Sequence, residues 1–351
     1  MNPSDGTVFA ETAAATNAFL EQRFAKRIKE AAIIHETYKV LWTETARIVM
    51  NGGKRLRPYL VMIGAGRYDT SIIPIAAAQE LLHVAMLAHD DVIDQDNVRR
   101  GEPNINGSYV ERYASHLDAP LAQHYAHSAG VLAGDLLLSE AYHCIMSCDA
   151  PSDLKSKLSE TLYTSIFSVV GGELMDVEAA FMHELSFDPI MVSRYKTASY
   201  SCIGPLVSGA QWSKTPQPLI DQLAEFGMYA GIAFQLQDDL LGVFGDEAKT
   251  GKSSLTDLRE AKATYLIQLY TETLDEAGLA AFRNVFGNIK ASDDELRALK
   301  AAIAATSAVK DTEARIHEYF EKSTTIARSM PDDFRKNELL SLLHKLDQRS
   351  A

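Results

Sequence analysis

The stretch "HDDVIDQDNVRRGEPN", His89 to Asn104, sets Asp90, Asp91, Asp94 and Asp96 within seven residues, directly behind the apolar run "LLHVAMLA" (81–88) and just ahead of Arg99 and Arg100. If the helix carrying that run continues through the acidic stretch, Asp90 and Asp94 stand at i and i+4 on one face. Two carboxylates so placed repel each other. A hard divalent cation between them reverses the sign, and Mg²⁺ takes carboxylate oxygens while sharing its shell with waters and substrate phosphates. Taken alone, such a motif more often marks a solvated acidic helix end.

A second acidic helix changes the weighing. "FQLQDD" (234–239) ends another apolar segment on Asp238 and Asp239, with Gln235 about one turn earlier on the face of Asp238. The basic residues suit the same ligand. "GGKRLRP" (52–58) puts Lys54, Arg55 and Arg57 beside two glycines that let backbone N–H groups approach an anion. Arg99 and Arg100 add guanidinium forks that match phosphate oxygens, and Lys196, Lys252 and Lys262 lie near Thr197, Gly251 and Asp257 in further polar stretches. Together they point to a polyphosphate held by metal and cations.

Composition bounds the rest. With 46% apolar and 23% charged residues in 351, the chain can build a sizeable core, in one or two domains by length. A net charge of −13 argues against a nucleic-acid partner, which needs a basic face. No stretch of 18 uncharged apolar residues and no signal-like N-terminus is read, so no transmembrane segment and a cytoplasmic location are expected. Three cysteines, Cys144, Cys148 and Cys202, are too few for a disulfide framework.

Prolines divide the chain into lengths suited to helix pairs. Within them apolar residues recur at three and four, as in 219–244 and 293–305, and Ser292 with Glu295 spells a capping box. Alternating strand patterns are nearly absent. The expected class is all-α: a single domain over 1–351, with its core in 40–285 and peripheral helices in 286–351. Other motifs fail on spacing. "GDEAKTGKS" (245–253) has five residues between its glycines where a phosphate loop needs four, Val98 breaks a calcium loop, and "MHELSF" (182–187) lacks the second histidine of a zinc protease. Gly227 and Gly231 read as close helix packing.

With these motifs in hand, the chain resembles the trans-isoprenyl diphosphate synthases, the farnesyl and geranylgeranyl diphosphate synthase family, from about Gly52 to Thr264. The likeness rests on "GGKRLRP", "HDDVIDQDNVRRG", "LAGDLLLSEA" (132–141), "KTAS" (196–199), "FQLQDDLLGVFGD" (234–246), "GKS" and "DLREAKAT" (257–264). It implies an antiparallel helix bundle around a deep central cavity, the isoprenoid synthase fold, and a homodimer. It further implies three Mg²⁺ ions, two on Asp90 and Asp94 and one on Asp238, with Asp91 and Asp239 in support. Lys54, Arg57, His83 and Arg100 would bind isopentenyl diphosphate. Arg99, Lys196, Lys252 and Lys262 would hold the allylic diphosphate, with Thr197 and Gln235 near the developing cation. The reaction implied is ionisation of the allylic diphosphate, head-to-tail condensation and proton loss.

Two departures stand out. Gly242 replaces the third aspartate of the second motif, with Asp246 a candidate substitute, and "GGELMD" (171–176) replaces a common Gly-Gln pair. Product length is expected from the side chains before Asp90, namely Ala85, Met86 and then Leu82, where each turn adds about 5.4 Å of pocket depth. With no aromatic ring at these positions, geranylgeranyl diphosphate (C20) is expected, and farnesyl diphosphate is the alternative. A class I terpene cyclase would leave the isopentenyl site idle, and an inert regulatory subunit would leave both acidic motifs idle.

Overall fold

A computed structural model describes residues 7–51, 53–182, 188–245 and 254–347. Helices α1 (Thr7–Ile34), α2 (Glu36–Met50), α3 (Leu56–Ala65), α4 (Ile73–Ile93), α5 (Ile105–Tyr113), α6 (Ala119–Ser147) and α7 (Ser152–Met182) come first. Then follow α8 (Pro189–Val192), a π-helical segment (Ser193–Ile203), α9 (Gly204–Trp212) and α10 (Gln217–Phe244). The last helices are α11 (Thr256–Arg259), α12 (Tyr265–Thr271), α13 (Glu276–Val285), α14 (Asp293–Ala304), α15 (Ala308–Arg328) and α16 (Asp333–Asp347). Among the described residues the only strands are a two-residue pair, β1 (Val98–Arg99) and β2 (Glu102–Pro103). The class is all-α, as the periodicity predicts.

The chain divides into two compact units, Met1–Tyr163 with Pro205–Pro216, and Thr164–Gly204 with Gln217–Ala351. In the first, α4 packs mainly on α6 and α3. Small residues permit that closeness: a Cβ on Gly130 would lie 2.5 Å from Val92, and one on Gly134 would lie 2.0 Å from His89 Nε2. Gly64 and Gly209 do the same between α3 and α9, each facing a backbone carbonyl at about 2 Å. The segment Thr70–Ile93 has the length and hydropathy of a membrane span, yet most of it is buried in this unit, as in a core helix.

In the second unit α10 packs against the π segment and α15. Beyond it Leu258, Leu266, Leu296 and Ile303 close an apolar cluster with Val243. The capping box read at Ser292 is present: Glu295 N–H donates to Ser292 Oγ at 3.3 Å, and Ser292 N–H donates to Glu295 Oε2 at 2.8 Å. Satisfying two orphan donors fixes where α14 starts.

Candidate active site

In the first unit, α4 runs through Ile93 and Asp94 caps it, its N–H donating to the Asp90 carbonyl at 2.8 Å. The i, i+4 relation of Asp90 and Asp94 therefore holds. Both reach solvent, whereas Asp91 turns inward and is buried. Burial pushes the Asp91 carboxyl up to about 6, against the opposing charge of Arg99. That arginine is returned to the acidic helix end by the β1–β2 ribbon, whose turn residues Arg100 and Gly101 both have left-handed φ, 58° and 78°. Arg99 Nε donates to Asp91 Oδ1 at 2.7 Å and Nη2 to Asp90 Oδ2 at 2.9 Å.

Asparagines, which the sequence reading passed over, tie this loop down. Asn106 Nδ2 donates to the carbonyls of Asp91 (2.9 Å) and Asp96 (3.0 Å), and Asn104 Nδ2 donates to Asp96 O at 2.8 Å. Asn104 also caps α5 by accepting from Gly107 N–H. The one foreshadowing signal was "EPNIN", since asparagine readily bonds nearby backbone groups.

The expected basic cluster surrounds His83, which is buried on α4. Its pKa lies well below the ordinary histidine value, first because of burial and then because of the charges of Arg57, Arg100, Arg99 and Arg55. His83 is thus neutral, able to offer one N–H. Lys54 is exposed, and Arg100 Nη1 donates to Asn51 O at 3.3 Å. Arg55 departs from the motif's other cations. Left-handed at φ 54° and buried, it donates to Asn17 Oδ1 (2.7 Å), Val49 O (2.7 Å) and Glu80 Oε1 (2.8 Å). It anchors the turn that carries Lys54 and Arg57.

In the second unit Asp238 is partly exposed on α10 and Asp239 is buried. Burial again raises the second carboxyl to about 6, opposed by Lys262, whose Nζ lies 3.7 Å away. For Lys262 burial disfavours the charge, but Asp257 and Asp239 outweigh it and hold the pKa above lysine's ordinary value. The two acidic motifs thus share one design, an accessible first aspartate and a buried second one neutralised by a cation.

Thr197 Oγ1 donates to Gln235 Oε1 at 2.5 Å, and Gln235 Nε2 donates to Asp239 Oδ1 at 2.8 Å. Lys196 and Thr197 lie in the π segment, a geometry concentrated at functional sites. Its backbone is approached on two sides: a Cβ on Gly172 would lie 2.2 Å from Lys196 N, and one on Gly231 would lie 2.5 Å from Ala198 Cα. Lys196 Nζ meets Asp176 Oδ2 at 2.5 Å and Glu173 Oε2 at 3.1 Å, partners not foreseen from sequence. Gly242 also gains a reason: its absent Cβ would stand 2.0 Å from Asp257 Oδ2, so the carboxylate of Asp257 fills that space. Lys252 and Asp246 lie outside the described residues.

Of the expected pocket-floor side chains, Ala85 and Leu82 are fully buried, and Met86 is partly exposed. Hard carboxylate oxygens on Asp90, Asp94 and Asp238 suit Mg²⁺. Among the described residues no three acidic, imidazole or thiol groups gather to hold a metal unaided.

A model of the polyprenyl synthetase family matches residues 39–303. The chain belongs to that family. It is 31% identical over 315 residues to a geranylfarnesyl diphosphate synthase of Aeropyrum pernix, covering 84% of this chain and 90% of the relative. It is 30% identical over 333 residues to a (2E,6E)-farnesyl diphosphate synthase of Mycobacterium tuberculosis, covering 90% and 85%. The crystal structure of a geranylgeranyl pyrophosphate synthase from Corynebacterium glutamicum, complexed with isoprenyl diphosphate and magnesium, superposes with a TM-score of 0.86 at 28% identity, over 95% of this chain and 99% of that one. The chain therefore has the all-α isoprenoid synthase fold and belongs by family to the trans-prenyl diphosphate synthases.

Proposed function

We propose that the protein condenses isopentenyl diphosphate head to tail with allylic diphosphates, with geranylgeranyl diphosphate as the main product. The observation that carries the reading is the repeated design of the two acidic motifs, each an accessible aspartate backed by a neutralised one. Asp90, Asp94 and Asp238 would hold the magnesium, which on binding neutralises the diphosphate leaving group. Arg99, Lys196, Lys252 and Lys262 would orient the allylic diphosphate. Lys54, Arg57, Arg100 and the neutral imidazole of His83 would seat the isopentenyl diphosphate.

Breaking the allylic C–O bond leaves a carbocation, and the π electrons of isopentenyl diphosphate form the new C–C bond to it. A proton then leaves, taken up by the departing diphosphate, and the product is one C5 unit longer. The relatives' names carry different prenyl groups, so the C20 assignment rests on Ala85, Met86 and Leu82 lacking aromatic bulk. The partner is proposed to be a second copy of the chain. In support, Phe167, Val170, Leu174 and Phe181 form an exposed stripe on α7 at spacings of three, four and seven.

The test incubates the protein with isopentenyl diphosphate and C5, C10 or C15 allylic diphosphates, with and without Mg²⁺, and identifies the dephosphorylated alcohols by mass spectrometry. The expected result is Mg²⁺-dependent C20 alcohol. Pyrophosphate release without isopentenyl diphosphate would indicate a cyclase, and no release at all would overturn the enzyme reading.

A further inference from the structure

Lys196 is the cation that the proposed function assigns to the allylic diphosphate, and in the structure two carboxylates already hold it. Its Nζ lies 2.5 Å from Asp176 Oδ2, 3.1 Å from Glu173 Oε2 and 3.2 Å from Glu173 Oε1. An ammonium has three N–H donors. Glu173 and Asp176 therefore lay claim to most of what Lys196 could offer a phosphate.

The approach of Glu173 is built into the backbone. The preceding residue, Gly172, brings α7 so close to the π segment that a Cβ would stand 2.2 Å from the Lys196 nitrogen and 2.6 Å from its Cα. Glu173 therefore starts from a fixed point beside Lys196. All three side chains keep between 18% and 23% exposure, so their charges are only partly screened and remain open to an arriving anion.

We propose that Glu173 is a positioning residue that acts through Lys196 as a built-in competitor of the diphosphate. It weakens the hold on the allylic substrate and on the pyrophosphate product, and it makes both depend more steeply on magnesium. This rests on the prenyltransferase reading given above. A free diphosphate must displace a carboxylate from Lys196 and leaves that carboxylate beside its own charge. A magnesium-loaded one brings compensating charge with it. The same competition returns Lys196 to Glu173 when pyrophosphate leaves.

The test compares wild type with E173Q and E173D, using inorganic pyrophosphate with Mg²⁺ in titration calorimetry and steady-state kinetics in both substrates. E173Q keeps the shape and loses the charge. Its pyrophosphate Kd and allylic KM should fall roughly three- to tenfold, the size of one partly screened charge contact, with the isopentenyl diphosphate KM unchanged. Half-saturation should also come at lower Mg²⁺. E173D keeps the charge and should stay near wild type. Equal or weaker pyrophosphate binding by E173Q, or an E173D variant that behaves like E173Q, overturns the proposal. Failure of the wild type to bind magnesium pyrophosphate at all would remove the prenyltransferase reading, and this proposal with it.

Discussion

The buried pair of Arg55 and Glu80 offers the sharpest test of how the basic turn is held. The two side chains are 2% and 3% exposed and 2.8 Å apart, and the guanidinium also donates to Asn17 and Val49. Among the described residues the second oxygen of Glu80 is buried without a hydrogen bond, so Arg55 provides nearly all of that carboxylate's compensation. Removing one member of such a pair strands the other charge in a low-dielectric interior, at a cost of about 3–5 kcal/mol. Replacing both with apolar residues removes the stranded charge, and the loss should shrink to about 1–2 kcal/mol. Arg55→Leu and Glu80→Leu should therefore each cost several kcal/mol, and the double variant should recover most of it.

Urea unfolding followed by tryptophan fluorescence reads this directly, because both tryptophans, Trp42 and Trp212, lie in the unit that holds the pair. The single variants should also raise the KM for isopentenyl diphosphate, since Arg55 anchors Lys54 and Arg57, and Glu80 stands three residues before His83. Single-variant costs below about 1 kcal/mol, or additive losses in the double variant, would refute the reasoning.

Asp90→Asn and Asp238→Asn should each lower kcat by roughly 10²–10³-fold with an unaltered unfolding curve, as expected for lost electrostatic stabilisation of the leaving group; retained activity would sink the metal assignment. His83, neutral in the fold, should make the protein less stable as pH drops below about 6.5, because the unfolded chain then takes up a proton that the folded one refuses. The slope contributed is at most about 1.4 kcal/mol per pH unit, and denaturant midpoints of His83→Gln should show it removed. Ala85→Phe and Met86→Phe should both shift the product toward C15. The fully buried Ala85 should also lose about 1–3 kcal/mol to overpacking, read from product alcohols and melting curves together.

Much of this molecule is legible from local pattern. The 3.6-residue period sets the class, and the spacing of Asp90 and Asp94 sets their common face, because both depend only on neighbours within a turn or two. What escapes depends on chain segments meeting at long range. Arg55 reads as one more phosphate cation until Glu80, 25 residues later, is seen beneath it. Nothing in "GGELMD" announces Lys196 as its partner. The glycine at 242 was a visible departure, yet its cause lies 15 residues away in Asp257. "RRG" reads from sequence as two charges, although its glycine also marks the turn that folds Arg99 back onto Asp90.

The π-helical stretch from Ser193 to Ile203 has a consequence for descent. A π turn holds one more residue than the α turn it replaces, so losing a single codon here would leave the backbone ladder free to close as ordinary α-helix. The flanks would keep their register, because the wider turn is what absorbs the extra residue, while the local backbone that sets Lys196 and Thr197 beside Glu173, Asp176 and Gln235 would be redrawn. Such a one-residue deletion would yield a sound fold with a silenced site, a short step from a working synthase to a purely structural descendant.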